Sequence, residues 1–210
     1  MINPTLNKFK MKKVLITFML LFMYLYSNAQ NLNWTQYGQQ AEGASTFAWN
    51  NAKTKLYKGT YYLSVHMSLD SGLTWQPIYQ GLNGGVYSIA IKNDTIYAAN
   101  IYISKVSIIS AVNKNSLSLV TSFINLPNSG PHNTAITPDN KHILVTDEIG
   151  NSPRQLKIWN REDLGNITFV SGWQPTGITT AIVHNVETYG KYALVAHYRA
   201  GVRMVDISNP

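Results

Sequence analysis

Cysteine is missing from all 210 residues. Its absence excludes disulfide staples, thiolate nucleophiles and cysteine-ligated metal together, so stability has to come from burial. Charge is scarce as well: 13% of residues are charged against 45% hydrophobic, the balance of a packed domain rather than a disordered one. Nothing acidic precedes Glu42, whereas Lys8, Lys10, Lys12 and Lys13 all lie near the start. Beyond position 29 the net charge of +7 falls to +3, 13 cations against 10 anions. Those cations are scattered, with no run of five and no basic-aromatic interleaving, so no nucleic acid is expected as a partner. Sustained helical periodicity is also lacking. The apolar stretch Val14 to Tyr26 is shorter than the roughly 20 residues a membrane-crossing helix needs.

That stretch has another reading. Met11-Lys12-Lys13 precedes it and Ser27-Asn28-Ala29 follows, a small-x-small site with Gln30 as first mature residue. This is the pattern of a secretory signal peptide cleaved after Ala29. A secreted or cell-surface protein is expected, with no transmembrane span after cleavage. Met1 to Lys10 reads as an extended leader, and the absence of a cysteine after the apolar run excludes a lipoprotein anchor. The expected organisation is a leader over 1–29, an N-terminal segment over 30–43 and one domain over 44–210.

Within that domain short β-prone runs alternate with turns. Lys55 to Val65 is rich in tyrosine; Gly85 to Ile91 and Thr95 to Ala99 form a hairpin around Lys92-Asn93-Asp94; Ser104 to Ser110 and Ser116 to Ile124 follow, joined through Asn113-Lys114-Asn115. Four strands in about 40 residues is the size of one propeller blade. Further on the chain repeats itself. Pro131-His132-Asn133 with Lys141 to Glu148 aligns with Val183-His184-Asn185 with Lys191 to Tyr198, and Gln155 to Asn160 aligns with Gly201 to Asp206. A unit that cannot bury both faces alone must stack on its neighbours. The fold expected is all-β: a β-propeller of four-stranded antiparallel blades, about four of them, over Ala44 to Gln80, Gly85 to Leu126, Pro131 to Ser171 and Val183 to Pro210. Three blades and most of a fourth predict a chain truncated at its C-terminus, since an open ring leaves two exposed sheet edges.

Ser68-Leu69-Asp70-Ser71-Gly72-Leu73-Thr74-Trp75 fits S-x-D-x-G-x-T-W. Asp70 can accept turn amides, Gly72 tolerates positive φ, and Thr74-Trp75 restart a strand. The octapeptide resembles the Asp box, or BNR-like repeat, of sialidase-type propellers, which includes catalytic and non-catalytic members. Sialidases hold a sugar carboxylate with three arginines. The mature chain has only Arg154, Arg161, Arg199 and Arg203, none in that family's Arg-Ile-Pro setting.

Val183-His184-Asn185-Val186 followed by Tyr192 to Pro210 resembles the LVIVD-repeat propellers and the choice-of-anchor B proteins of bacterial surfaces. The likeness covers Pro131 to Pro210. It implies an exported, surface-associated propeller with an adhesive or binding role and no established catalysis. The leader together with the Asp box is similar to secreted Bacteroidetes proteins, whose C-terminal tail is often a type IX secretion signal.

Candidate site residues come from the repeat. His132-Asn133 and His184-Asn185 open the first strand of their units, and Asp147-Glu148 and His197-Tyr198 close the second. Imidazoles and carboxylates from successive blades form the composition of a polar-ligand or divalent-metal site. The alternative is a repeated structural hydrogen bond at each blade. No H-x-H or H-E-x-x-H spacing occurs, no organic cofactor is implied, and a two-carboxylate glycosidase would need an acid and base facing each other, whereas the members of Asp147-Glu148 point to opposite faces of a strand. Ser68, Asp70, Gly72, Thr74 and Trp75 are expected to be structural. The function expected is a non-catalytic binding or adhesion module for an extracellular glycan or protein. A secreted glycan-active hydrolase and a structural envelope component are the alternatives.

Overall fold

The computed structural model describes residues 43–210 except 62, 63, 81, 83, 114–116, 128, 129 and 179. The expected signal peptide, residues 30–42 of the N-terminal segment and the Lys114-Asn115 turn lie outside the described residues.

Four antiparallel sheets follow one another along the chain. The first blade comprises β1 (Ala44–Trp49), β2 (Leu56–Thr60), β3 (Ser64–Ser68) and β4 (Gln76–Gln80). The second is β5 (Val86–Lys92), β6 (Thr95–Asn100), β7 (Lys105–Ser110) and β8 (Ser118–Ile124). Then come β9 (Pro131–Ile136), β10 (His142–Asp147), β11 (Leu156–Asn160) and β12 (Thr168–Trp173), and last β13 (Val183–Tyr189), β14 (Tyr192–His197) and β15 (Gly201–Asp206). Each sheet is a plain meander in sequence order. The β1, β5, β9 and β13 strands stand side by side in the middle, giving a four-blade propeller arrangement whose last blade has three strands among the described residues.

The local reasons are short-range. Asn93 and Asp94 both take positive φ (48° and 54°), the two-residue conformation that matches strand twist in a tight hairpin. The tyrosine-rich Lys55 to Val65 run divides into β2 and the start of β3. In the Asp box, Thr74 donates its backbone N–H (2.9 Å) and its hydroxyl (2.6 Å) to the Asp70 carboxylate, and Ser68 Oγ donates to the same group at 2.7 Å. These bonds hold the Asp70 carboxyl at about 2, the Thr74 hydroxyl contributing most. Trp75 then tilts against Phe47 of β1 at 5.8 Å.

Middle strands read as unbroken apolar runs because each serves two interfaces. Along β6, Ile96 and Ala98 pack toward the first blade with Tyr57, Val65 and Met67, while Tyr97 faces the third blade's Ile143, Val145 and Trp159. One residue along β10, Leu144 turns the other way, to Val183, Val186 and Val195 of the fourth blade. Side chains alternate by two, so neighbouring residues build neighbouring interfaces. Among the described residues three apolar clusters result, joining blades one and two, two and three, and three and four.

Polar ties run beside them. Asn133 Nδ2 donates to Ser88 Oγ (3.1 Å), and its Oδ1 accepts the Val186 N–H (3.0 Å), so this side chain spans blades two, three and four. Thr134 Oγ1 donates to the Tyr97 carbonyl and Thr188 Oγ1 to that of Ile136.

Candidate functional site

One irregularity recurs in all four blades. Where β1, β5, β9 and β13 begin, pairing to the next strand skips one residue: Ala44 and Thr46, Val86 and Ser88, Pro131 and Asn133, Val183 and Asn185 find partners, while Ser45, Tyr87, His132 and His184 do not. Such a bulge turns one side chain out of the pleat. Ser45 spends its hydroxyl on the Gly59 and Val86 carbonyls; the other three carry rings. Across the bulges of the first, third and fourth blades stands the residue just after the second strand. Its backbone N–H returns to the first strand's approach, from Tyr61 to Gly43, Glu148 to Gly130 and Tyr198 to Ile182. Gly130 is required there, because a Cβ would lie 2.3 Å from the Ile149 carbonyl oxygen.

The two sets of residues meet on one end of the propeller. Ring centroids are 5.1 Å apart for Tyr61 and Tyr87, 5.9 Å for Tyr87 and His132, 3.9 Å for the stacked His132 and His184, and 4.9 Å for His184 and Tyr198. Tyr102 joins from the side, 5.6 Å from Tyr87, and Tyr87 donates its hydroxyl to that of Tyr102 at 3.0 Å. That bond pushes the Tyr87 hydroxyl up to about 12, with burial second. Tyr61, Tyr102 and Tyr198 are exposed.

Glu148 sits in the middle of this row. Its Oε2 is 2.7 Å from His132 Nδ1, and its Oε1 accepts the Tyr198 hydroxyl at 2.9 Å and lies 3.6 Å from His184 Nε2. Burial and the neighbouring His184 lower the His132 imidazole below its ordinary value, against the opposing pull of Glu148. His132 Nδ1 is buried, and the short contact to Glu148 lacks the direction of a hydrogen bond.

The residues picked from the sequence thus separate. His132, Glu148 and His184 converge. Asp147 points the other way, into a fully buried ion pair with Lys157 at 2.9 Å. There Asn125 donates to Asp147 Oδ1 at 2.6 Å and accepts the Trp159 indole N–H at 2.9 Å, while Lys157 also donates to the carbonyls of Asn125 and Pro127. Burial raises the Asp147 carboxyl and lowers the Lys157 ammonium. Asn133 belongs to the blade ties and Asn185 is exposed. His197 is buried, accepts the Ala200 N–H on Nδ1 and leaves Nε2 without a hydrogen-bond partner. Asp70 is at the opposite end, since β3 runs away from the row of rings. The arginines divide between the ends: Arg154, between β10 and β11, and Arg199, between β14 and β15, belong to the ring end, Arg203 is within β15, and Arg161, past the far end of β11, reaches Asn140 and stacks over Tyr97 at 5.2 Å.

Tyr61, Tyr87 and Tyr102 are the members that sequence reasoning missed. Tyr87-Ser88 matches His132-Asn133 and His184-Asn185 in strand position, but the shared chemistry is only a ring followed by a small polar residue.

At the other end, Phe47, Ala48, Ile91, Ile136 and Thr188 from all four central strands help line a cavity of about 350 Å³.

No protein-family model matches the chain, and no curated protein matches it. Solved structures do. The chain is a β-propeller by shape. It is similar to a chain of the crystal structure of a mitotic checkpoint complex (TM-score 0.63, 13% identity, covering 78% of this chain and 50% of that one). It is also similar to the C-terminal WD40 domain of Sif2 (0.62, 14%, 80% and 47%). A third is the hydrazine synthase of Kuenenia stuttgartiensis (0.61, 14%, 84% and 49%). The chain spans about half the length of each, and at such identities the likeness shows a WD40-like fold alone.

Proposed function

We propose that the protein is an exported, non-catalytic binding propeller of the bacterial surface, and that the bulge end is its recognition face, with carbohydrate as ligand. The signal-peptide pattern supports export. Propellers commonly serve as binding scaffolds, and the observation that carries the reading here is the unbroken row of rings from Tyr61 to Tyr198 across four blades. Exposed tyrosines offer apolar faces to sugar rings and hydroxyls at their tips, and Glu148 adds an acceptor for sugar hydroxyls.

The distribution of carboxylates favours binding over hydrolysis. Among the described residues, Asp70, Asp94 and Asp139 lie in turns at the opposite end, Glu162, Asp163 and Asp206 at strand ends there, and Glu187 past the middle of β13. Only Asp147 and Glu148 belong to the ring end, and Asp147 is consumed by Lys157. An acid and a base facing each other across a glycosidic bond are therefore not supplied by these residues. Screening the full chain on a glycan array, followed by a turnover assay on any bound glycan, tests the reading. Binding without turnover is expected; turnover that disappears in Glu148→Gln would replace the binding module with a hydrolase.

A further inference from the structure

We infer that His132, His184 and Glu148 form a site for one divalent transition-metal ion of the zinc type, held at the junction of the third and fourth blades with at least one coordination position open to solvent.

The donor set comes first. Two imidazole nitrogens and one carboxylate oxygen are the ligands that zinc and its first-row neighbours take; calcium and magnesium prefer oxygen throughout. The three donor atoms lie within 4.8 Å of one another. Ligands sharing one such ion at about 2.1 Å stand roughly 2.9 to 3.4 Å apart; the two oxygens of the Glu148 carboxylate lie either side of that range, Oε2 at 2.7 Å from His132 Nδ1 and Oε1 at 3.6 Å from His184 Nε2, so small side-chain rotations bring one of them within it for both rings.

His132 Nδ1 and Glu148 Oε2 are in contact, yet no ring N–H aims along the line between them. An ion seated off that line, in the plane of the His132 ring, would accept both electron pairs, and the His184 ring, stacked on His132 with 28° between the planes, would turn out of the stack to aim its nitrogen at the same ion. Support around the donors is already built: the Tyr198 hydroxyl fixes Glu148 from behind its Oε1, as second-sphere partners of metal ligands do. The bulges that place His132 and His184 are held by Thr146, which accepts the Asn133 N–H and donates to the His184 carbonyl. His184 and Glu148 are partly open to solvent, so three protein ligands leave room for water or a ligand atom.

The site does not depend on sugar recognition. Loss of metal uptake with glycan binding intact would remove this inference alone, and the converse result would remove the carbohydrate reading alone.

The test is a cobalt titration of the full chain, without a histidine tag and stripped with chelator, followed by visible absorption and competed with zinc. One equivalent per chain is expected, with the intense absorption of a low-symmetry nitrogen-oxygen site. His184→Ala and Tyr198→Phe should each weaken cobalt binding at least about tenfold, the latter through loss of orientation. His142→Ala, at the other end of the blade, should leave it unchanged. Circular dichroism confirms that the variants are folded, and Tyr198→Phe leaves every donor atom in place. No cobalt uptake by the folded chain, or uptake indifferent to His184 and Tyr198, would overturn the site.

Discussion

His132 and His184 stack with centroids 3.9 Å apart although 52 positions separate them. Each is the skipped residue of a bulge at the start of a central strand, so their contact follows from a backbone irregularity repeated blade by blade. What the propeller presents at this end is decided by which side chain occupies the bulge: serine, tyrosine, histidine, histidine.

The asparagines that follow those histidines do different work. Asn133 makes two bonds to other blades and Asn185 is exposed. Asn133→Ala is expected to destabilise the fold by about 1–3 kcal/mol, the range for stranding buried partners. Asn185→Ala should stay within about 0.5 kcal/mol of the parent. Urea unfolding of the two variants checks the contrast.

Removing one member of the buried Asp147 and Lys157 pair leaves the other buried without its charge partner. Lys157→Met should cost about 3–5 kcal/mol. Replacing both, as Asp147→Leu with Lys157→Met, should recover much of that loss, and thermal melts of single and double variants provide the comparison.

The Asp box predicts a dependence on acid. Asp70 has its folded value at about 2, below the roughly 3.9 of an unfolded chain. Its contribution is therefore complete above the unfolded value and is lost as pH falls through the folded one. Asp70→Ala should melt below the parent near neutrality, with the gap closing between about pH 4 and pH 2. A gap independent of pH would mean that the carboxylate's hydrogen bonds do not hold the turn.

Much of the fold was legible because propellers write it locally. The hairpin at Asn93-Asp94, the Asp box and the repeat each depend on residues close in sequence, and the four blades begin where the turns place them. Lys55 to Val65 reads as β-prone but not as two strands, since tyrosine favours strands without marking where one ends. The site was half legible. Alignment found His132, His184 and Glu148, but it joined Asp147 to them because adjacent residues share an alignment column pair while facing opposite ways. The ring contacts of Tyr87 were invisible, since a bulge leaves no composition signal when its occupant changes from histidine to tyrosine.

Whether the ring end is the recognition face is measured most directly by the affinity of an array-identified glycan for two tyrosine variants. Tyr198 closes the row of rings, while Tyr189, also exposed, ends β13 at the opposite end of the same blade. Calorimetric titration should show Tyr198→Ala weakening the glycan by about 1–3 kcal/mol, the scale of one lost anchoring aromatic, with Tyr189→Ala unchanged. Equal affinities for both variants and the parent, or a loss confined to Tyr189→Ala, would contradict it.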